Sequence, residues 1–267
     1  MNWIKKLFKR SKVVPVVRLD GVIGSSGQFG GGGLTDSSLK VVLEKAFGMP
    51  RIKAVALIIN SPGGSPTQSS LIAARIRKLA NKHNVRVFAF CEDVAASGGY
   101  WLACAADEIF ADENSIIGSI GVISASFGFH EFIARQGIER RIYTAGEEKS
   151  ILDPFRPENE DDITKLKSIQ REIHGNFKNH VELSRGKKIE SSLVCTGEFW
   201  DAKKSLELGL IDGIGHLETV LENRYGDEID FKLVSRRKPL FSRLSKSMVN
   251  SIIGSAISKL YFSRFNL

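Results

Sequence analysis

The chain has 267 residues, 42% of them hydrophobic, and a net charge of +8. That length can bury one substantial core with room for a small extra element at an end, and the composition is that of a globular protein. Cys91, Cys104 and Cys195 show no CxxC spacing, and the five histidines are scattered without a His-Glu-x-x-His pair. Neither a disulfide framework nor a metal site has support, and no metal or cofactor is expected.

The charge is unevenly placed. Residues 1–12 carry five Lys/Arg and residues 231–267 carry eight, with no acid in either stretch, so the ends sum to +13 and the body from 13 to 230 is left at −5. A nucleic-acid protein would carry its basic patch on the folded body beside groove-reading or stacking motifs, and none is visible, so no nucleic-acid partner is expected. Basic ends mixed with Trp3, Leu7 and Phe8 suit an anionic lipid surface. No stretch approaches the ~18 apolar residues of a membrane span. The N-terminus also lacks the pattern of a secretory signal, because its apolar run is short and is broken by Pro15, Arg18 and Asp20. The expectation is a cytoplasmic protein with peripheral contact at the inner face of the membrane.

In chain order, VVPVVRLDGVIG (13–24) reads as a strand closed by the glycine-rich loop GQFGGGGLTD, after which Thr35 or Asp36 can cap a helix reaching Phe47. AVALIIN (54–60) is a continuous apolar run, the pattern of a strand covered on both faces. SPGGSP breaks it, and residues 67–83 have apolar positions at helical spacing. VRVFAFC (85–91) is a second buried strand, followed by a helix from Ser97 and a short strand EIFAD. This alternation of strand and helix predicts an α/β core with right-handed crossovers. Residues 113–124 read as glycine-punctuated extended chain, GFHEFIARQG as a short helix, IERRIYTAG (138–146) as a strand and 147–157 as a loop. A long polar helix is predicted from Glu158 to about Ser184, with acids at its start where the helix dipole favours them. Helices near 201–208 and 216–225 and a strand FKLVSRR follow. The economical division is a basic N-terminal segment (1–12), one catalytic-sized domain (13–230) and a basic extension (231–267). In that extension Leu240, Phe241, Leu244, Met248, Ile252, Ala256 and Leu260 recur at three- and four-residue steps, the stripe of an amphipathic helix that could meet a membrane surface or cap a neighbouring subunit.

The segment VAASGGYWLACAA (94–106) sets one hydroxyl, Ser97, among alanines and glycines at a helix start. A serine hydroxyl is a weak nucleophile, so it needs a base to take its proton and donors to stabilise the oxyanion that forms. The N–H of Gly98 lacks an intrahelical partner and could be one donor. Gly63 or Gly64 of NSPGG could supply a second, because that motif ends a strand just as AASGG begins a helix. The alternative is that AASGG only lets a helix pack closely on the sheet. For the base, no histidine has a context tying it to Ser97, whereas Lys149 lies in a loop between Gly146 and an apolar, proline-containing stretch, and a neutral lysine can act as general base.

NSPGG, AASGGY, GSIGV and G-x-x-K-x-x-x-x-P-F-R, in this order and at these separations, closely resemble the motifs of the signal peptide peptidase A/SohB family of serine peptidases, over about Val14 to Leu221. The resemblance implies a ClpP/crotonase-like α/β fold of repeated strand-helix units, here with a C-terminal helical extension. It also implies Ser97 as nucleophile, Lys149 as general base, Ser119 of GSIGV as the hydroxyl that orients the lysine, and Gly98 with the NSPGG glycines Gly63 and Gly64 as oxyanion hole. Substrates would be cleaved signal peptides or other small or unfolded chains, with small or apolar side chains near the cut. Family members form rings or tandem repeats, and a single copy of the catalytic unit implies a homo-oligomeric ring. Two other readings are a crotonase-type acyl-CoA enzyme, which would need no Ser-Lys pair, and a silent ring that binds peptides or membrane.

Overall fold

The computed structural model describes residues 12–24, 33–235 and 262–265. The chain clusters into two compact units, one made of residues up to Ile120 together with those from Phe177 onward, the other of Gly121–Asn176.

The first unit is built on a sheet that gathers eight strands from the described residues: β1 (Lys12–Asp20), β2 (Ala54–Ser61), β3 (Arg86–Ala96), β4 (Glu108–Ala111), β5 (Ile116–Gly118), β6 (Phe199–Asp201), β7 (Gly213–Ile214) and β8 (Ile229–Leu233). The main path runs β6-β5-β3-β2-β1-β8, and every pairing is parallel except β5 with β6. β3 is the organising strand. Its first half pairs with β4, Phe88 to Cys91 against Glu108 to Ala111, and its last three residues pair with β5, Val94 to Ala96 against Ile116 to Gly118. The helices are α1 (Asp36–Phe47), α2 (Pro66–His83), α3 (Gly98–Ala103), α4 (His130–Arg135), α5 (Glu160–Arg185), α6 (Ser191–Val194), α7 (Ala202–Glu207) and α8 (Leu217–Tyr225). This is the α/β architecture that the alternating pattern predicts.

Local chemistry starts the helices where expected. Thr35, not Asp36, is the N-cap of α1: its hydroxyl accepts from Ser38 N–H while its own N–H donates to Ser38 Oγ, a reciprocal box. Ser65 caps α2 with Pro66 in the first turn, where a missing N–H costs nothing. Side chains alternate between the two faces of each strand. On one face Val17, Leu19, Val55, Leu57, Ile59, Val87, Ala89 and Ala95 pack under α1, α2 and α3. On the other, Val14, Val16, Ala54, Ala56, Phe88 and Phe90 lie under Leu221 and its neighbours on α8. Burial on both faces is why β2 reads as an unbroken apolar run.

Several boundaries differ from the sequence reading. β3 continues past Cys91 to Ala96, because the backbone of residues 94–96 finds a partner in β5. Residues 138–144 do not form the expected strand: Glu139, Arg140 and Arg141 are exposed, and no described strand pairs with them. The expected strand FKLVSRR begins earlier, at Ile229, and pairs with β1, so it is part of the sheet. The apolar stripe from Leu240 to Leu260 and the N-terminal basic segment before Lys12 lie outside the described residues.

A buried ion pair ties the end of α5 to the sheet. The Arg185 guanidinium, 2% exposed, donates to both oxygens of Asp212 at 2.8 and 3.1 Å and to Gly209 O at 2.8 Å. Asp212 also accepts from Lys188 Nζ and from Ile109 N–H of β4. Burial alone would raise the Asp212 carboxyl, but the hydrogen bonds from Arg185, Lys188 and Ile109 outweigh it and hold the group at about 2, below its ordinary 3.8. A carboxyl that is a stronger acid in the folded state contributes stability above the unfolded value, here about 2 kcal/mol, and loses it as pH falls through about 2. Asp212→Ala strands the Arg185 charge in the interior and should cost about 3–5 kcal/mol in urea unfolding at neutral pH. A loss below about 1 kcal/mol would mean that the pair does not hold this corner.

Candidate active site

Ser97 stands at the junction where β3 ends and α3 begins, with φ 53° and ψ −120°, a backbone region that a non-glycine residue occupies only under constraint. Three contacts supply the constraint. Its N–H donates to Gly118 O of β5 at 2.8 Å, its carbonyl accepts from Trp101 N–H at 3.0 Å, and the NSPGG turn presses on it from the side. A Cβ built on Gly63, whose φ is +102°, would stand 2.8 Å from both Gly98 N and Ser97 Cβ. Ser97 Oγ makes no capping hydrogen bond to its own helix. The hydroxyl is thus turned away from the structural task that a serine at a helix start ordinarily performs.

The glycines of AASGGY have a packing reason of their own. A Cβ on Gly98 would lie 2.5 Å from Ser69 Oγ of α2, and one on Gly99 2.3 Å from Ser61 O of β2. Close packing and a strained serine therefore coexist, and close packing alone does not account for Ser97, where a glycine would carry the same φ without strain.

Of the two NSPGG glycines, Gly63 is the one against Ser97 and Gly98. Its N–H reaches Ser61 Oγ at 3.2 Å and its carbonyl accepts from Ile23 N–H. Gly64 lies against Ile23 and forms a parallel bridge with it. Ser119 follows Gly118 directly, is 3% exposed, and has φ 52°. Its N–H donates to Glu198 O at 2.6 Å, and a Cβ on Gly118 would meet the Trp200 ring at 2.9 Å. Ser97 and Ser119 are therefore joined through one hydrogen bond and one peptide unit. The first unit brings Ser97, Ser119, Gly63 and Gly98 together.

Lys149 belongs to the second unit. It sits exposed on the 3-10 turn Glu147–Ser150, whose N-cap Gly146 has φ +100°. Around it Glu148 pairs with Lys165 at 3.0 Å and Ser150 Oγ accepts from Arg156.

Other candidates have structural roles. His180 is half-buried against the Trp101 ring, with its Nε2 2.9 Å from Trp101 O; partial burial lowers its pKa, which fits a neutral ring donating to that carbonyl. Cys91, Cys104 and Cys195 are free and buried, and burial pushes the Cys104 thiol up to about 12, so it stays protonated and unreactive. Among the described residues no group of three His, Cys, Asp or Glu is placed to hold a metal ion. The sequence reading missed the short strand β6, whose Glu198 and Trp200 neighbourhood fixes Ser119 and Gly118. A three-residue strand leaves no periodicity to find.

A strained serine at a strand-to-helix junction, with glycine backbone drawn tight beside it, is the arrangement of a serine hydrolase. Peptidase family S49 matches residues 79–226, more than half of the chain, and the chain belongs to that family of serine peptidases. It is 27% identical over 219 residues to an Enterococcus faecium protein named "Putative signal peptide peptidase SppA", covering 80% of this chain and 63% of that one. It is 28% identical over 209 residues to a SohB-named protease of Buchnera aphidicola, covering 78% and 61%. A protein of Brucella abortus named Na(+)/H(+) antiporter NhaA is 49% identical over 231 residues, which are 86% of this chain and 31% of that protein. The chain thus spans less than two thirds of each of these relatives, and less than a third of the last.

The packing makes a prediction. Gly63→Ala places a methyl group against Gly98 N, Ser97 Cβ and Ala96 O, so it should lower labelling of the protein by a serine-directed fluorophosphonate by roughly 100-fold. Gly21→Ala, whose added Cβ would meet nothing within 4 Å although its φ is also positive, should change labelling little. Equal labelling of G63A and the unmodified protein would show that the NSPGG turn does not shape the site.

Proposed function

We propose that the chain is an endopeptidase in which Ser97 is the nucleophile and Lys149 the general base. The observation that carries this reading is the positive-φ backbone of Ser97, held from three sides with its hydroxyl uncommitted to the helix. Ser97 Oγ attacks the scissile carbonyl carbon while its proton passes to the neutral amine of Lys149. The carbonyl oxygen becomes an oxyanion facing the N–H of Gly98, with the second donor from the NSPGG turn: Gly64, or Gly63 once its N–H leaves Ser61 Oγ. Collapse breaks the C–N bond, the lysine returns the proton to the departing amine, and water then hydrolyses the acyl-serine by the same proton path. Ser119 orients the lysine. Substrates are cleaved signal peptides, in keeping with the name of the Enterococcus faecium relative, or other small or unfolded chains with small or apolar side chains near the cut, in keeping with the motif resemblance.

The working form is a homo-oligomeric ring. Phe127, Phe132 and Tyr143 of the second unit are 79%, 61% and 90% exposed, aromatic surface that a neighbouring copy would cover. We place the protein in the cytoplasm with its basic ends against an anionic membrane face. No helix among the described residues is long and apolar enough to cross a membrane. The peptidase domain is assigned to 13–230, between basic segments 1–12 and 231–267, the second of which begins inside β8 and so starts within the sheet.

Ser97→Ala and Lys149→Ala should each lower turnover of a small apolar peptide by roughly a thousandfold or more. Because the base accepts a proton only when neutral, turnover should climb with pH, and a flat profile from mildly acidic to alkaline pH would remove Lys149 from the role. Mixing the two inactive variants under conditions of subunit exchange recovers activity if serine and lysine come from different copies; no recovery means that each chain holds its own pair. Near-normal turnover by either variant alone contradicts the assignment. Co-sedimentation with anionic vesicles should fall when residues 238–267 are removed, and unchanged sedimentation would refute the membrane assignment.

A further inference from the structure

Residues 262–265 return to the sheet at its most constrained point. Phe265, 5% exposed, forms a small cluster of its own with Val94 and Ala96 of β3, both fully buried, and with Ile116 of β5 and Phe262 beside them. Its ring also meets Phe199 of β6 edge to face, at 5.1 Å and 73°. Val94 pairs with Ile116, Ala96 with Gly118, and Gly118 in turn with Phe199. One side chain therefore closes over the ends of three adjacent strands, the strands that deliver Ser97 and Ser119. Ala95, between the two alternating contacts, points into the core under the helices. The last residues before Ser97 are gripped from both faces of the sheet, by the helical layer on one and by Phe265 on the other.

A non-glycine residue at positive φ stays there only while its surroundings over-determine it. On the helical face that work is shared by many side chains, whereas on the other face, among the described residues, Phe265 and Phe262 supply the cover over Val94 and Ala96. We propose that Phe265 is a positioning residue for the peptidase reaction: it pins β3 and β5 against relaxation so that Ser97 keeps its strained backbone and its hydroxyl its aim. The inference rests on the reading of Ser97 as nucleophile. Without the ring, Val94 and Ala96 face a void, β3 can settle into it, and the strain at Ser97 is released by a movement too small to disturb the rest of the sheet.

The test compares Phe265→Ala with Phe265→Leu and with Leu221→Ala, which opens a void under α8 toward the other end of the same sheet face. Each purified full-length variant is assayed for kcat and KM on a small apolar peptide, for its rate of labelling by a fluorophosphonate, and for its Tm, with all kinetics well below the lowest Tm. F265A should lose about 10- to 100-fold in both kcat and labelling rate, with KM within about twofold. F265L should recover most of the loss, and L221A should lower Tm while leaving kcat and labelling within about twofold. If F265A does not fold, Phe265→Val carries the same comparison. The proposal is overturned if F265A and L221A lose activity in proportion to Tm alike, if F265A keeps full activity, or if F265A becomes faster, in which case the ring obstructs the site. Should Ser97→Ala remain active, the nucleophile assignment itself fails, whatever Phe265 does.

Discussion

The hydrogen bond from Ser97 N–H to Gly118 O fixes the end of β3 against β5, and through it the strained backbone of Ser97 is anchored to the sheet. A conformation of this kind costs about 1–3 kcal/mol and has to be held by its surroundings. The surroundings here are specific. Gly63 closes on the serine from the β2 side, Gly98 and Gly99 let α3 approach Ser69 and Ser61, and Gly118 clears the Trp200 ring so that β6 can pair with β5. A side chain at Gly63, Gly98 or Gly99 would crowd the junction at Ser97, and one at Gly118 would push β6 away from β5.

The rest of the first unit supports that junction at a distance. β3 is long enough to pair with β4 in its first half and with β5 at its end, so the strand that leads to Ser97 is braced on that edge both before and after Glu92 and Asp93. α3 is itself braced from behind: Tyr100 OH donates to Leu210 O at 2.7 Å, and Trp101 stacks on Phe177 and His180 of α5. The Arg185–Asp212 pair then fastens α5 to the segment that leads into β7. Each of these interactions is ordinary in strength. Together they leave the serine one well-defined position, which is what a preorganised site requires.

Much of this was legible in the sequence because it rests on local chemistry. Continuous apolar runs gave β2 and the start of β3, the choice of Thr35 or Asp36 as cap gave the start of α1, and helical spacing from residue 67 gave α2 without its cap, Ser65. The linked motifs NSPGG, AASGGY and GSIGV gave the residues that converge on Ser97, and membership of peptidase family S49 agrees with the resemblance those motifs carry. What escaped depends on long-range pairing. The last residues of β3 become strand only because β5 pairs with them, and β6 and β7 are too short to show a period. IERRIYTAG reads as a strand, but no described strand pairs with it. Asp212 and Phe265 look like unremarkable residues in sequence, and their importance comes from partners 27 and about 170 residues away.

The central claim is that folding, and not the chemistry of serine as such, makes Ser97 reactive. It is tested by treating the native protein with a serine-directed fluorophosphonate and locating the adduct by peptide mass mapping, with denatured protein as the comparison. The account predicts one phosphonyl group per reactive chain, on Ser97, and none on the denatured chain. An adduct on a different serine, or equal labelling of Ser97 in the folded and denatured states, would contradict it.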